Sequence, residues 1–364
     1  MKRRDFVGGL ALAAGAAACT PAGKECTGTG ESGGEVFEWK MVTSWPPKLP
    51  GLGLGAENLA QLIERMSNGR LRIKVYAGGE LVPALEVFGA VSGGTAEIGH
   101  GAAYYHKGKV DAAQYFATVP FGMNGNEVSA WLYYGGGLAL WRELYEPFGL
   151  VPFAAGCTGV QMGGWFNKEI NSVADLQGLK MRIPGLGGEV LRRAGVTTVL
   201  MQGSEIFTSL QTGAIDATEW VGPYNDISLG LHKAAKYYYY PGWHEPGPTL
   251  ECIVNRQAYL SLPDDLQAIV ATACQAVHTD MLAEYNHGNA MSLAQLQEEG
   301  NVELRRFPND VIELLKKLTK EVLDELSARD EAAARIQKSY FDFLEKSVPN
   351  QRISEEAYLQ TRDL

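Results

Sequence analysis

Between residues 35 and 79 the hydrophobic period changes twice, and this restricts the fold more than any other feature of the chain. "EVFEWKMVT" alternates, with Phe37, Trp39 and Met41 on one face, which is the period of a strand. "GAENLAQLIERMSNG" spaces Leu59, Leu62, Ile63 and Met66 by three and four and stops at Asn68-Gly69, which predicts a helix. "LRIKVYAGG" returns to a strand, and a helix beginning at Pro83 and a short strand, "AEIGHG", follow. Strands alternating with helices imply an α/β fold, with a mostly parallel sheet covered on both faces.

A second series begins near Thr158, where "VQMGGWFNK" reads as a strand. In "NSVADLQG", Ser172 as N-cap with Asp175 three residues on predicts a short helix closed by Gly178. "LKMRIPG" is a strand with Leu179, Met181 and Ile183 on one face and Lys180 and Arg182 on the other. "GGEVLRRAG" reads as a helix, "TTVLM" as a strand, "SEIFTSLQTG" as a capped helix ending at Gly213, and "AIDATEW" as the next strand. From Pro263 onward helical patterns return. The layout predicts two lobes, residues 36–157 with 251–305 and residues 158–250, joined by crossovers near 158 and 250. Ligands of such folds sit at strand ends and in the cleft between lobes. The tail, residues 306–364, is nearly all helical, with Ile312, Leu315, Leu318, Val322 and Leu326 at spacings of three and four. It is long for a helix of a compact lobe. Its helices are expected to pack on the lobes, and the stripe either meets a second copy as well, giving a homodimer, or belongs to a charged solvent-exposed helix.

A chain of 364 residues with 46% hydrophobic residues can bury the cores of two lobes. The net charge of −10 excludes a nucleic-acid binder, which needs a basic face. It leaves an acidic ligand open, because one buried arginine outweighs diffuse surface charge. Residues 1–19, "MKRRDFVGGLALAAGAAAC", form an export signal: basic residues, an apolar run from Phe6 to Ala18, then small residues before Cys19. The paired arginines resemble a twin-arginine signal, and the ordinary secretory route is the alternative. The end resembles a lipoprotein site that would anchor Cys19, without the usual leucine three residues earlier. Plain cleavage is the other reading. Residues 20–35 read as a flexible tether. Cys19, Cys26, Cys157, Cys252 and Cys274 fit no zinc spacing, and no pair announces a disulfide.

Four features carry chemistry. Arg182 ends a strand just before Pro184 and Gly185, where a guanidinium fork suits a carboxylate. Glu219 in "TEWVGP" and Glu245 in "GWHEPGP" both adjoin tryptophan-bearing, Gly-Pro-fixed loops and could offer hard oxygens to a cation. Gln161 in "TGVQMGG" could add a neutral oxygen. Other patterns fail: "PGLGGEVL" has Val190 where a dinucleotide fingerprint needs glycine, and the residue four past His244 is Pro248, not a second zinc-binding histidine. The run Tyr237 to Tyr240 reads as a strand with two packed faces.

"LQGLKMRIPG" followed by "SEIFTSLQTGAIDATEW" resembles the signature of the solute receptors of TRAP (tripartite ATP-independent periplasmic) transporters, over roughly residues 38 to 350. "WKMVTSWPPKLPGLG" and "ATEWVGPYND" resemble the branch that binds small 2-oxo or 2-hydroxy monocarboxylates, such as pyruvate or lactate, with a cation. The resemblance implies a two-lobed periplasmic solute-binding fold that closes on its ligand and serves TRAP membrane subunits. It implies that Arg182 pairs with the ligand carboxylate and that Tyr104 or Tyr105 reaches the ligand from the first lobe. It also implies that Gln161, Glu219, the Trp220 carbonyl and Glu245 hold the cation, sodium or calcium. Many members outside this branch lack the Glu-Trp pair, so the metal expectation rests on the branch. Two other readings stand beside this one. A metal-assisted enzyme acting on a 2-oxo acid would need a general base, for which His244 is the local candidate. A sensor of the same fold is the second.

Overall fold

The computed structural model describes residues 35–362 and residue 364, so the export signal, Cys19, Cys26 and the tether before residue 35 lie outside the described residues. The strands are β1 (Phe37–Thr43), β2 (Leu71–Tyr76), β3 (Ile98–Gly101), β4 (Leu150–Cys157), β5 (Gly164–Phe166), β6 (Lys180–Arg182), β7 (Thr197–Val199), β8 (Ala217–Thr218), β9 (Tyr237–Tyr240), β10 (Thr249–Asn255) and β11 (Glu303–Arg306). They form two sheets, ordered β2-β1-β3-β10-β4 and β11-β9-β5-β8-β6-β7. In the first, β1 pairs parallel with β2 and β3, while β10 runs antiparallel between β3 and β4. In the second, β6 is parallel to β7 and β8, and β5 is antiparallel to β8 and β9.

The alternation in β1 points as expected: Trp39 and Met41 are buried and Glu38 is exposed. The following helix, Leu52–Met66, buries Leu59 and Ile63 against β2, but Met66 is 41% exposed because the helix ends there. The helix expected from Pro83 begins at Val87. Asp175 accepts the Ser172 N–H at 2.9 Å and starts the expected turn, a 3-10 helix at Val173–Leu176. The helix expected from Ser204 is Gly203–Gln211, and its N-cap Gln202 makes no side-chain capping bond, its amide donating instead to the Glu205 carboxylate at 3.1 Å.

The chain passes between the sheets three times: from β4 to β5, from β9 to β10, and through the 36-residue helix Asp264–Glu299 into β11. At 1.5 Å per residue such a helix runs about 54 Å, enough to serve both lobes. It packs on β4 of the first sheet and on the helix Pro223–Ser228, which follows the second sheet's β8. Residues 303–305, grouped with the first lobe from sequence, belong to a strand of the second sheet, where β11 pairs with β9.

The tail holds two long helices, Asn309–Arg329 and Glu331–Gln351, followed by a π-helical turn, Arg352–Glu356, and a short helix, Ala357–Arg362. Asp330 adopts an extended conformation and its carboxylate accepts the Ala333 N–H at 3.0 Å, so it stops one helix and caps the next. The apolar stripe is covered by the chain itself. Val311, Leu315, Val322, Leu323 and Leu326 are buried, and Ile312 and Leu318 are packed against the core. The first tail helix lies on the second-lobe helix Gly185–Arg193, where Arg193 Nη1 donates to Glu325 at 2.7 Å. The second lies on the first lobe. Tyr115 donates to Gln337 at 2.5 Å, Trp131 Nε1 to Ser339 at 3.1 Å, and the Met123 N–H to the Tyr340 hydroxyl at 2.6 Å.

The stripe therefore does not supply a reason for dimerisation; it fastens the first tail helix to the second lobe, and the next helix fastens the tail to the first. Tyr340 tests this. Its ring is 1% exposed and meets Trp131 edge-on at 5.2 Å between centroids. Tyr340→Phe keeps the ring but leaves the buried Met123 N–H without its acceptor. Urea unfolding should show a loss of about 1–3 kcal/mol, and Tyr340→Ala a larger loss of roughly 3–5 kcal/mol. An unchanged midpoint for both variants would mean that the tail adds nothing to the folded body.

Candidate functional site

The ends of two parallel strands create the site. Arg182, the last residue of β6, stands opposite Thr218, the last residue of β8. Glu219 therefore leaves the sheet beside Arg182, and its N–H donates to the Arg182 carbonyl at 3.3 Å. The Arg182 Nη1 donates to the Glu219 carboxylate in a direct ion pair, with both side chains 1% exposed. Arg182 Nε donates to the Met201 carbonyl at 3.3 Å, and the Trp220 ring lies 5.1 Å from the guanidinium carbon. A planar cation sandwiched in this way has its orientation fixed before any ligand arrives.

The two strand-to-strand crossings bring the rest. The outgoing segment lies alongside the returning one: Gln161 N donates to the Glu245 carbonyl at 3.1 Å and Gly163 N to the Tyr239 carbonyl at 2.7 Å. Met162 N donates to the Val221 carbonyl at 2.9 Å, which ties the outgoing segment to the residues just after Glu219. Gln161, His244 and Glu245 are thereby carried to the ends of β6 and β8, and all three are buried. Tyr104 and Tyr105 come from the first lobe, on the 3-10 turn Ala103–His106 after β3. That turn is anchored from below by His106, whose Nε2 meets the Tyr145 hydroxyl at 2.7 Å, and Tyr145 donates to the buried Glu251 at 2.8 Å. Burial pushes the Glu251 carboxyl up to about 8.

The glycines of "PGLGGEVL", which fail as a dinucleotide fingerprint, have a steric task here. Gly185, in the left-handed region with φ +60°, would bring a Cβ to 3.1 Å from the Tyr104 Cβ; a Cβ at Gly187 would meet the His244 Cβ at 2.9 Å. They let the helix Gly185–Arg193 approach both site residues.

Every side chain expected from sequence thus converges: Arg182, Gln161, Glu219, Trp220 and Glu245 from the second sheet and its crossings, with Tyr104 and Tyr105 facing them. Glu245 and Glu219 lie close enough to raise the Tyr104 hydroxyl pKa beyond the effect of burial, and Arg182 opposes the rise from burial at Tyr105. Burial, and then the charge of Glu219, hold the Glu245 carboxyl well above the usual range, with Arg182 and the Tyr104 hydroxyl drawing it back.

His244 joins this set, although the sequence offered it only as a base for the enzymatic reading. One ring nitrogen of His244 and one oxygen each of Glu219 and Glu245 lie within 4.8 Å of one another. Asn225 and Asp226 were not read at all. Asp226 accepts from Tyr238 at 2.7 Å, Trp165 Nε1 at 2.9 Å and Val221 N at 3.2 Å; burial lifts its carboxyl to about 7, against the pull of these donors. Asn225 accepts from Trp220 Nε1 at 3.3 Å and Tyr285 at 2.9 Å, and donates to the Pro50 carbonyl of the first lobe at 2.8 Å. The available signal was their position, immediately after the Gly222-Pro223 step that ends the Glu219 loop.

Several buried polar atoms at this point have no hydrogen-bond partner among the described residues: Arg182 Nη2, Gln161 Oε1, Glu245 Oε2 and both ring nitrogens of His244. Buried polar groups are normally satisfied, and orphaned ones cost about 1–3 kcal/mol each. The orphans are of two kinds. A guanidinium donor asks for an anion, and two oxygen acceptors ask for a cation or a donor.

Known proteins agree with this picture. The model of the bacterial extracellular solute-binding protein family 7 matches residues 41–330. The chain is 43% identical over 358 residues, 98% of each chain, to a monocarboxylate 2-oxoacid-binding periplasmic protein of Nostoc sp.. It is similar to the crystal structure of a TRAP periplasmic solute-binding protein from Colwellia psychrerythraea with bound calcium and pyruvate. The TM-score is 0.88 and the identity 44%, covering 90% of this chain and 100% of that one. A TRAP periplasmic solute-binding protein from Pseudoalteromonas atlantica T6c, with bound sodium and pyruvate, gives a TM-score of 0.87 and 42% identity, covering 90% and 99%. With two α/β lobes, a ligand-shaped set of orphaned groups at the crossovers and this similarity along nearly its whole length, the chain belongs to the bacterial extracellular solute-binding protein family 7, the DctP family of TRAP transporter receptors.

Proposed function

We propose that this receptor binds a small 2-oxo or 2-hydroxy monocarboxylate, of the pyruvate or lactate type, together with a sodium or calcium ion, and delivers it to TRAP membrane subunits. The carrying observation is the complementary set of orphaned atoms in the site: Arg182 Nη2 as a donor, Gln161 Oε1 and Glu245 Oε2 as acceptors. In this reading Arg182 turns its free Nη2 to the ligand carboxylate while Nη1 stays on Glu219. Tyr104 and Tyr105 cap the ligand from the first lobe. Gln161, Glu219, the Trp220 carbonyl and Glu245 would hold the cation, whose charge would draw the carboxylate and the adjacent 2-oxygen together. Sodium and calcium both accept such oxygen donors. A 2-oxo or 2-hydroxy acid fits because it offers two oxygens on neighbouring carbons, one set for Arg182 and one for the cation. The relatives that bind pyruvate with calcium or with sodium support the same choice. The family is one of binding proteins, which weighs against the enzymatic reading of His244.

The finer parts of the reading concern the chain ends. The N-terminal segment reads as a twin-arginine or secretory export signal, with lipid anchoring at Cys19 as its variant; among the described residues no helix is long and apolar enough to cross a membrane. A homodimer remains part of the proposal on a changed basis. Between the tail helices a groove of about 1020 Å3, lined by Phe121, Leu323 and Phe341 and rimmed by lysines, offers the apolar surface that the stripe no longer does.

Calorimetry with pyruvate tests the clamp. Arg182→Lys supplies charge without the fork and should weaken binding by at least tenfold. Arg182→Ala should abolish it and also lower stability by about 3–5 kcal/mol, since Glu219 is left buried without its partner. Wild-type affinity in Arg182→Lys would remove the role of the fork, one nitrogen on Glu219 and the other on the ligand.

Cation and acid must be coupled reciprocally. Chelation or exchange into cation-free buffer should weaken pyruvate binding, and re-adding sodium or calcium should restore it. Glu219→Gln should weaken both. Pyruvate affinity that ignores every cation would leave Glu219 as a partner of Arg182 alone.

The dimer has a separate check. Phe341→Glu places a charge in the groove while sparing the buried Tyr340, so light scattering should report a monomer where the parent chain is a dimer. A parent chain already monomeric at micromolar concentration ends the idea.

A further inference from the structure

His244 differs from the other buried histidines. His100 is bonded at both ring nitrogens, to Trp45 Nε1 at 2.7 Å and the Ala155 carbonyl at 3.0 Å. His278 likewise meets Ser129 at 2.9 Å and the Gly156 carbonyl at 2.9 Å, and His106 meets Tyr145 at 2.7 Å. The His244 side chain is 1% exposed, yet neither Nδ1 nor Nε2 has a hydrogen-bond partner among the described residues. Its ring is held in place nonetheless. Trp243 meets it at 5.5 Å between centroids, and the missing side chain of Gly187 makes room for its Cβ. Nε2 lies 3.5 Å from Glu219 Oε2, too long for a good hydrogen bond but suited to two donors sharing one ion. One of its nitrogens closes a triangle with Glu219 and Glu245 whose corners are within 4.8 Å of one another. Bonds of about 2.0–2.6 Å put donors on one ion at most about 4–5 Å apart, so a triangle within this limit closes on an ion with small side-chain shifts.

We infer that His244 supplies a nitrogen ligand at the cation position, so that the site takes a first-row divalent ion such as zinc alongside the hard ions sodium and calcium. The inference rests on the reading of this site as one for a carboxylate and a cation. An all-oxygen set favours hard cations; adding an imidazole raises affinity for zinc relative to calcium, because borderline metals bind nitrogen well. Glu219 and Glu245 with His244 form a mixed oxygen and nitrogen set of the kind zinc accepts, and the orphaned Gln161 Oε1 is a further oxygen in the same site.

The test uses the full mature protein, stripped with a chelator, and three probes: calcium, zinc and manganese, each with pyruvate. Calorimetry should show that zinc binds at least tenfold more tightly than calcium, and that pyruvate tightens the zinc that is bound. His244→Gln and His244→Ala, checked for folding by thermal melting, should weaken zinc binding by at least tenfold more than they weaken calcium binding. Pulsed electron paramagnetic resonance of the manganese–pyruvate complex should reveal coupling to a directly bound nitrogen-14 nucleus in the parent protein, and that measurement needs no variant to fold. Absence of the nitrogen signal, or a variant that weakens pyruvate binding equally with every ion, would overturn the inference and make His244 a contact to the acid. In either case pyruvate binding with calcium would leave the receptor reading standing, whereas failure to bind pyruvate with any ion would remove that reading itself.

Discussion

A guanidinium and a carboxylate locked together at the ends of neighbouring parallel strands are what the rest of this molecule is arranged around. Burying either charge alone costs several kcal/mol, so Arg182 and Glu219 are tolerated only as a pair. The pairing uses one nitrogen of the fork and leaves Nη2 orphaned. The site is therefore preorganised in a specific sense: its charge is compensated well enough to fold, and its hydrogen bonding is left incomplete where a ligand would complete it. The register of β6 against β8 makes this geometry unavoidable, since Arg182 and Thr218 are partners and Glu219 is the next residue.

A second shell of contacts ties that pair to both lobes. Asp226 holds Val221 and, through Trp165 and Tyr238, the antiparallel β5–β9 pair. Asn225 links the Trp220 indole to Pro50 of the first lobe and to Tyr285 of the long helix, while Glu284 of that helix takes the Gly51 N–H and the Tyr224 hydroxyl, both at 3.0 Å. These bonds cross from one lobe to the other within a few residues of Glu219. Displacement of the first lobe would thus be felt at Trp220, and through its ring at Arg182. A two-lobed receptor that closes on its ligand requires such contacts to differ between open and closed forms, and this cluster is where the difference would be concentrated.

Much of the site was legible in the sequence because strand ends and Gly-Pro turns have strong local signatures. Arg182 before Pro184, and Glu219 before Gly222-Pro223, announce themselves. Tyr104 and Tyr105 required the family resemblance, since nothing local says that a turn after β3 faces the other lobe. The fold was legible where one face is wet. β1 alternates and was read. β4, "LVPFAAGC", and β10, "TLECIVN", are buried on both faces, carry no period of two, and were passed over. β11 joins its sheet only through a partner more than sixty residues away, a pairing no local pattern can reveal. The break at Asp330 was hidden because an N-cap aspartate inside "SARDEAAAR" looks like one more charge on an exposed helix. His244 was legible only as a base for the enzymatic reading, because the absence of partners at its ring nitrogens is visible only in three dimensions.

An apolar stripe on a helix must be covered, and the sequence reading placed the tail helices on the lobes, with a second copy as a further partner. In the fold the stripe closes on the second lobe, while the helix after Asp330 turns back to bury Ala333, Ile336 and Tyr340 on the first. Arg329 donates to Asp111 of the first lobe at 2.8 Å, and Glu325, one turn earlier, pairs with Arg193 of the second. These exposed ion pairs contribute little by themselves, so the apolar seams carry the attachment. A strap anchored to both lobes limits how far they can separate. The net charge of −10 then has little bearing on recognition, because the few charges that matter are buried at the crossovers, where solvent screening is weakest.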